Sequence, residues 1–387
     1  MRTSAKTDQM LPTTARIQSL ATAVPAVVLH QSEVRDVFAE QPGLSRLAQR
    51  LVHATFDAAG IERRHTVLEE FQLDRRSPDP VFFDAESRRL LTPSTKVRND
   101  VYIDEATRLF VRVARDALAA CDGIRPADVT HVITVSCTGF FAPGPDFMLV
   151  RELGLSPAAQ RYHLGFMGCY ASMPALRLAK SLAEADPDAV VLVVSVELCT
   201  LHVRSSDSPD VIIASSLFSD GAGAAVVSSR DLGARGPELQ LDAFETVITP
   251  VGEGDMAWTI GDEGFEMVLS SYVPHIIDEH IEGALEPLFA HEPGAHGEPA
   301  RSIREWAIHP GGRSILDKVE ARMELAPEQL RASREVLRDF GNMSSTTIVF
   351  VLKNVLDAAA EPGRVCAMAF GPGLTVETAL MTLVSRS

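Results

Sequence analysis

The sequence predicts a layered α/β protein, with helices covering both faces of a sheet. Three observations lead there. Short β-branched runs alternate with longer amphipathic stretches from residue 14 to the end of the chain. One run, residues 189–196, is apolar without a break, the pattern of a strand covered on both faces. Glycine-rich turns close several of the apolar runs and open the stretch that follows.

The elements follow in order. Residues 14–22 read as a first strand, ended by Pro25. Residues 102–120 place Leu109, Val111, Val113, Ala117 and Leu118 at helical spacing, with Asp104 and Glu105 near the start. A strand at 129–136 leads into the turn-rich segment CTGFFAPGPD. The apolar run 163–167 precedes GCYAS and a helix over 174–185, then the apolar strand. In the second half, 244–249 reads as strand and 264–285 as a helix interrupted at Pro274. A short strand at 306–308 is followed by helices at 314–323, 327–340 and 345–359. Strands at 364–370 and 375–383 close the chain. The stretch RDLGARGP, near residues 230–236, reads as the linker between halves 1–232 and 233–387. Residues 291–300 read as an exposed loop, and the first residues as an unstructured leader.

Composition narrows the function. The 387 residues carry 36 Lys+Arg against 52 Asp+Glu, a formal net charge of -16. Such a surface repels phosphate backbones, so nucleic acid is not an expected partner, and an anionic substrate needs a local cluster of cations. The five cysteines are widely spaced without a CxxC pair, which argues against a disulfide framework or a metal site and for a reducing cytoplasm. No apolar stretch of about 18 residues occurs, so no membrane span is expected.

Three residues stand out as chemistry. Cys169, in LGFMGCYASMPALRLAK, follows a strand and a glycine and sits where a helix begins. The positive end of the helix favours thiolate there, although a buried inert thiol fits the same position. His309, in WAIHPGGRSILDKVE, ends a strand before a Pro-Gly-Gly turn, at the sheet edge where α/β folds place their sites. Asn342, in FGNMSSTTIVFVL, either caps the following helix or aims its amide at a developing oxyanion. The spacings are 309 − 169 = 140 and 342 − 309 = 33 residues. Papain-like proteases also use Cys, His and Asn, but their local cysteine signature is missing.

These blocks, with AFGPGLTVETALM and LFSDGAGAAVV, resemble the signature blocks of chalcone-synthase-like type III polyketide synthases, over about residues 15–383. The resemblance implies a thiolase-like duplicated five-layer α/β/α/β/α fold and a homodimer. It implies that Cys169 takes an acyl group from a CoA thioester, and that His309 and Asn342 stabilise the enolate formed when malonyl-CoA loses CO2. No cofactor and no metal is expected, only CoA thioesters as substrates.

The resemblance extends to the cavity. It places Phe218 and Met267 at gatekeeper positions between a CoA tunnel and the cavity. It sets Cys137, Thr138, Cys199, His202 and Ser344 on the cavity wall, with Gly371 and Pro372 of the GPG block beside it. Ala142 falls where plant members carry a Met reaching into the partner subunit. Small residues at Thr138, Ala142 and Cys199 match bacterial relatives that bind fatty acyl chains, so alkylpyrones or alkylresorcinols are the expected products. The alternatives are a malonyl-only tetrahydroxynaphthalene-type synthase and a ketoacyl-ACP synthase III-like single condensation. Where plant members carry three CoA-gripping cations, this chain has Leu51, Ala54 and Ala58, with Arg46, Arg50, Arg63 and Arg64 nearby as substitutes. An acyl carrier protein is the other possible donor. AFGPG departs from the family's GFGPG at Ala369.

Overall fold

A computed structural model describes residues 14–291, 302–359 and 361–384. The expected leader lies outside these residues, as does all of the expected loop at 291–300 except His291. One nine-stranded sheet runs through the described chain. From one edge its strands are Ile303–Ile308, Gly363–Gly371, Thr375–Val384, Glu238–Ile248, Arg16–Ala23, Asp220–Ser228, Val191–Leu198, His131–Ser136 and Gln160–Gly165. The two halves meet where Arg16–Ala23 pairs with Glu238–Ile248, through Arg16↔Gln240 and Ile17↔Leu239.

Alternating side chains along the strands generate the layers. In the buried strand Val191–Leu198, Val191 and Val193 face one apolar cluster while Leu192, Val194 and Val196 face another. Strand Gly363–Gly371 divides likewise: Val365, Ala367 and Ala369 join the first cluster, and Cys366, Met368 and Phe370 enter a third. The first cluster holds helices Ser172–Ala185 and Thr347–Asp357, between the two halves of the sheet. The second is closed by the 25-residue helix Thr95–Ala119, and the third by Val273–Phe289 and Arg313–Arg322. Helix, sheet, helix pair, sheet, helix is the five-layer order. At an interior site such as Leu192, truncation to Ala costs about 2–5 kcal/mol.

One element differs in kind from expectation. Residues 264–285 are not one helix: Gly264–Leu269 is a strand paired with Met256–Gly261, and the helix starts at Val273. Phe265, Met267 and Leu269 alternate toward the catalytic cavity while Glu266 and Val268 point away, a period of two. Pro274 sits in the first turn of the helix, where its missing N–H costs nothing, so it starts the helix rather than interrupting it. Met267 is therefore a strand residue. Helix Thr95–Ala119 begins earlier than expected, behind the Ser94 cap, strand Ile303–Ile308 is longer, and helices Gln31–Ala39, Arg46–Ala58, Pro145–Leu153 and Pro209–Leu217 and strand Asp220–Ser228 were not foreseen.

Candidate active site

Each of the three reactive side chains is presented at a chain reversal. Cys169 lies between strand Gln160–Gly165 and helix Ser172–Ala185. Gly168 makes the turn at φ +81°, and a Cβ there would lie 2.4 Å from Pro372 Cδ, so the loop packs directly on the GPG block. His309 follows strand Ile303–Ile308, and its N–H donates to Met368 O at 2.7 Å. Asn342 follows Gly341, whose φ is +69°, and its N–H donates to Leu217 O at 2.9 Å. Gly221 of LFSDGAGAAVV explains the close approach of this last segment: a Cβ there would meet Met343 Sδ at 2.4 Å.

The three converge on one cavity of about 80 Å³. The Asn342 amide is locked on two sides, Oδ1 accepting from Ser344 N at 2.8 Å and Nδ2 donating to Gly311 O at 3.2 Å. The second Nδ2 hydrogen is left for the Cys169 sulfur, which also receives the Ser344 hydroxyl. Ser344 holds φ +48°, a conformation that costs a non-glycine residue about 1–3 kcal/mol, and its hydroxyl oxygen also lies 3.4 Å from Cys137 Sγ. His309 is buried, yet neither ring nitrogen has a hydrogen-bond partner among the described residues. Leaving such a group unpaired costs about 1–3 kcal/mol, an expense typical of a site that awaits a ligand.

Burial dominates the electrostatics. It pushes the Cys169 thiol up to about 12, against the pull of the Ser344 and Asn342 hydrogen bonds. It pulls the His309 imidazole down to about 3. With those values both groups are neutral at pH 7. Beneath them lies Glu197, fully buried, its carboxyl raised by burial and bonded to Cys137 N at 3.0 Å, Thr138 Oγ1 at 2.9 Å and the Ser345 hydroxyl.

Most of the expected wall residues line this cavity. Cys137, Thr138, Cys199 and His202 form one side, and Phe218, Met267, Ser344 and Pro372 the others. Two do not. Ala142 is exposed in the loop before helix Pro145–Leu153, and Gly371 lies behind the wall, where a Cβ would strike the Tyr170 ring. The sequence reading missed Trp258 and Phe265, although the alternation Met256, Trp258 and Phe265, Met267, Leu269 signals one face of a hairpin. Trp258 Nε1 donates to Cys137 O at 2.9 Å, and His202 stacks on Phe265 at 4.1 Å. His202 Nε2 donates to Thr138 O and Nδ1 accepts from Phe265 N, which fixes a neutral ring.

A groove of about 480 Å³ leads outward, and Leu269, Gly311 and Ile315 line both it and the cavity. The arginines expected to serve its mouth are not among the residues that line it. Arg64 is buried, its NH1 donating to Ser215 O and Phe218 O, where it braces the Phe218 backbone. Arg63 pairs with Asp339 at 2.8 Å, and Arg46 and Arg50 are not among the groove's lining residues. Of Leu51, Ala54 and Ala58, only Ala58 lines the groove, beside Thr55 and Ala59.

A duplicated five-layer sheet protein with Cys, His and Asn on one apolar cavity has the architecture of a thiolase-like acyl-transferring enzyme, and comparison with known proteins narrows the class. Residues 3–231 match the family description "Chalcone and stilbene synthases, N-terminal domain", and residues 240–385 match "Chalcone and stilbene synthases, C-terminal domain". Bisdemethoxycurcumin synthase of Oryza sativa subsp. japonica is 32% identical over 398 aligned positions, covering 100% of this chain and 96% of that protein. Type III polyketide synthase 10 of the same plant is 33% identical, covering 95% and 91%. Among solved structures, PKS-I from the brown alga Ectocarpus siliculosus superposes with a TM-score of 0.87 at 28% identity, covering 96% of this chain and 98% of that one. The C-terminal type III polyketide synthase domain of Steely1, from Dictyostelium, gives 0.84 at 27%, covering 95% and 99%. The chain belongs to the chalcone and stilbene synthase family, the type III polyketide synthases, acyltransferases that form carbon–carbon bonds by Claisen condensation.

Proposed function

We propose that Cys169 carries the acyl starter and growing chain, and that His309 and Asn342 drive the decarboxylation of malonyl-CoA. The observation that carries this reading is the unpartnered, buried His309 ring on the same cavity as Cys169 and the locked Asn342 amide. The Cys169 proton passes to His309, the thiolate attacks the starter thioester, and CoA leaves as its thiol. Malonyl-CoA then loses CO2, and the electron pair of the broken bond becomes an enolate. Its oxygen receives hydrogen bonds from Asn342 Nδ2 and the His309 ring. The enolate carbon attacks the acyl–Cys169 carbonyl, the thiolate leaves, and the chain is two carbons longer. Phe218 and Met267, lining the cavity, bound the space in which the chain folds and cyclises.

The cavity favours a short starter. A water needs about 10–15 Å³ of such space, so about 80 Å³ holds only a handful of non-hydrogen atoms. Trp258 and the His202–Phe265 stack close the side on which small residues suggested a tunnel. A fatty acyl starter, with alkylpyrone or alkylresorcinol products, is the second reading. It is favoured by an adjacent cavity of about 370 Å³, lined by Val34, Phe38 and Leu90, which shares Val203 with the first.

The half 1–232 supplies the nucleophile and 233–387 the His and Asn. A homodimer is supported by the open edge strand Gln160–Gly165 and the exposed rings of Phe140 and Phe147. All five cysteines are free, as a cytoplasmic setting requires, and among the described residues no helix is long and apolar enough to cross a membrane.

The test is product mass spectrometry with malonyl-CoA and starters from acetyl- to palmitoyl-CoA, using wild type, Cys169→Ala and Trp258→Gly. Short-chain pyrones or aromatics from wild type, lost in Cys169→Ala and joined by longer-chain products in Trp258→Gly, are expected. Efficient palmitoyl extension by wild type establishes the second reading instead. Products that survive Cys169→Ala refute the mechanism.

A further inference from the structure

We propose that the phosphate of the thioester carrier is gripped by Arg313 and Lys318, from the wall of the entry groove that faces helix Arg46–Ala58. This rests on the cavity being the condensation site and names the carrier chemistry it takes: a phosphopantetheine arm, as in CoA or a holo carrier protein. Because the groove shares Leu269, Gly311 and Ile315 with the cavity, a thioester reaching Cys169 by this route lies along it. Much of its surface, including Ala58, Ala59, Ile213 and Leu217, is apolar or small and suits an uncharged arm. Its charged lining residues are Arg313, Asp317 and Lys318. On a chain of net charge -16, a phosphate needs such local cations.

The ion pairing around them permits the exchange. Asp317 is held by Arg334 at 2.9 Å as well as by Arg313 at 3.4 Å. Asp278 is held by Arg322 at 3.2 Å as well as by Lys318 at 3.1 Å. Each acid keeps a cation when Arg313 and Lys318 turn to an incoming anion. Exposed pairs of this kind are weak, so little is lost in the exchange.

Geometry selects Arg313 as the principal contact. Its stem lies against Gly60, where a Cβ would sit 3.3 Å from Arg313 Cδ, while 57% of its side chain remains exposed. The stem is thus held beside the end of helix Arg46–Ala58, and the small Ala58 and Ala59 leave room for the head. The residues of this helix and its end that line the groove, Thr55, Ala58 and Ala59, carry no charge, and the cations stand on the opposite wall.

Titration calorimetry of wild type, Arg313→Gln and the Arg313→Gln/Lys318→Gln double variant with CoA, 4′-phosphopantetheine and pantetheine tests the assignment without relying on turnover. Arg313→Gln is expected to weaken CoA and 4′-phosphopantetheine on the order of tenfold and the double variant further, with pantetheine unchanged. Arg313→Lys restores part of the loss. An equal loss for pantetheine, or CoA binding within twofold of wild type in the double variant, overturns the proposal. Steady-state KM with malonyl-CoA against malonyl-carrier protein then separates the sources, since the variant's penalty falls on the donor that uses the groove. Phosphate-dependent binding without any acylation of Cys169 leaves this site standing and removes the condensation reading instead.

Discussion

Replacing His309 with alanine is expected to silence Cys169 in a way that pH reveals. Burial pushes the thiol up to about 12, so in the absence of an imidazolium the thiolate fraction at pH 7 is about 10⁻⁵, tenfold per unit over five units. With His309 present, thiolate and imidazolium form together, and the reactive population follows the pair. Iodoacetamide reacts with thiolate, so its second-order rate reports that population. Wild type should give a rate that is flat over neutral pH. His309→Ala should be at least about 100-fold slower at pH 7, with a rate that climbs about tenfold per pH unit through pH 8–10. Peptide mapping assigns the label. Cys137 and Cys199, whose thiols burial also raises well above the usual range, should stay unlabelled in both proteins. A flat profile at the wild-type rate in His309→Ala would show that the helix start and the Ser344 and Asn342 donors suffice to hold the thiolate, and would refute the paired account.

Two further expectations follow. Asn342→Ala should slow malonyl-CoA decarboxylation, read as labelled CO2 released, by about 10²–10³ while leaving Cys169 acylation by a starter nearly unchanged, because the donor serves the enolate; equal losses in both steps would sink the assignment. Asp220 is buried, and burial raises its carboxyl to about 7 against hydrogen bonds from Thr200 and Val67. Between its unfolded value of 3.8 and about 7 the folded chain keeps a proton that the unfolded chain releases, so this group's contribution to stability is complete below pH 4 and is lost as pH rises toward 7. The difference in melting temperature, wild type minus Asp220→Asn, should therefore shrink between pH 5 and pH 8, and a difference constant with pH contradicts it.

The three candidate residues were legible because each sits beside a backbone feature that leaves a trace in sequence. Gly168, Gly341 and the Pro-Gly-Gly after His309 mark sharp turns wherever they occur. The hairpin Met256–Leu269 was not, because its period-two face runs on through a short turn into helix Val273–Phe289, and the window averages the two patterns. Nor was cavity size, which depends on how far one side chain, Trp258, reaches across to Cys137 O. Arg64 shows the same limit for charge. It stands in a string of cations that reads as surface, yet the fold turns it inward onto the carbonyls of Ser215 and Phe218.

The Met256–Leu269 hairpin stands outside the nine-stranded sheet, with Trp258 and Met267 toward the cavity and Ile260 60% exposed. It is held to the body of the protein by hydrogen bonds, Trp258 to Cys137 O, Phe265 N to His202 and Thr95 N to Asp262 O, and by apolar packing of Phe265 on Phe140, Phe166 and His202 and of Met256 and Leu269 in the third cluster. The shape of the reaction chamber is therefore written in part on a panel outside the main sheet. Lineages descended from such a chain can exchange one product for another by altering the cavity face of this ribbon while the sandwich of sheets and central helices stays as it was.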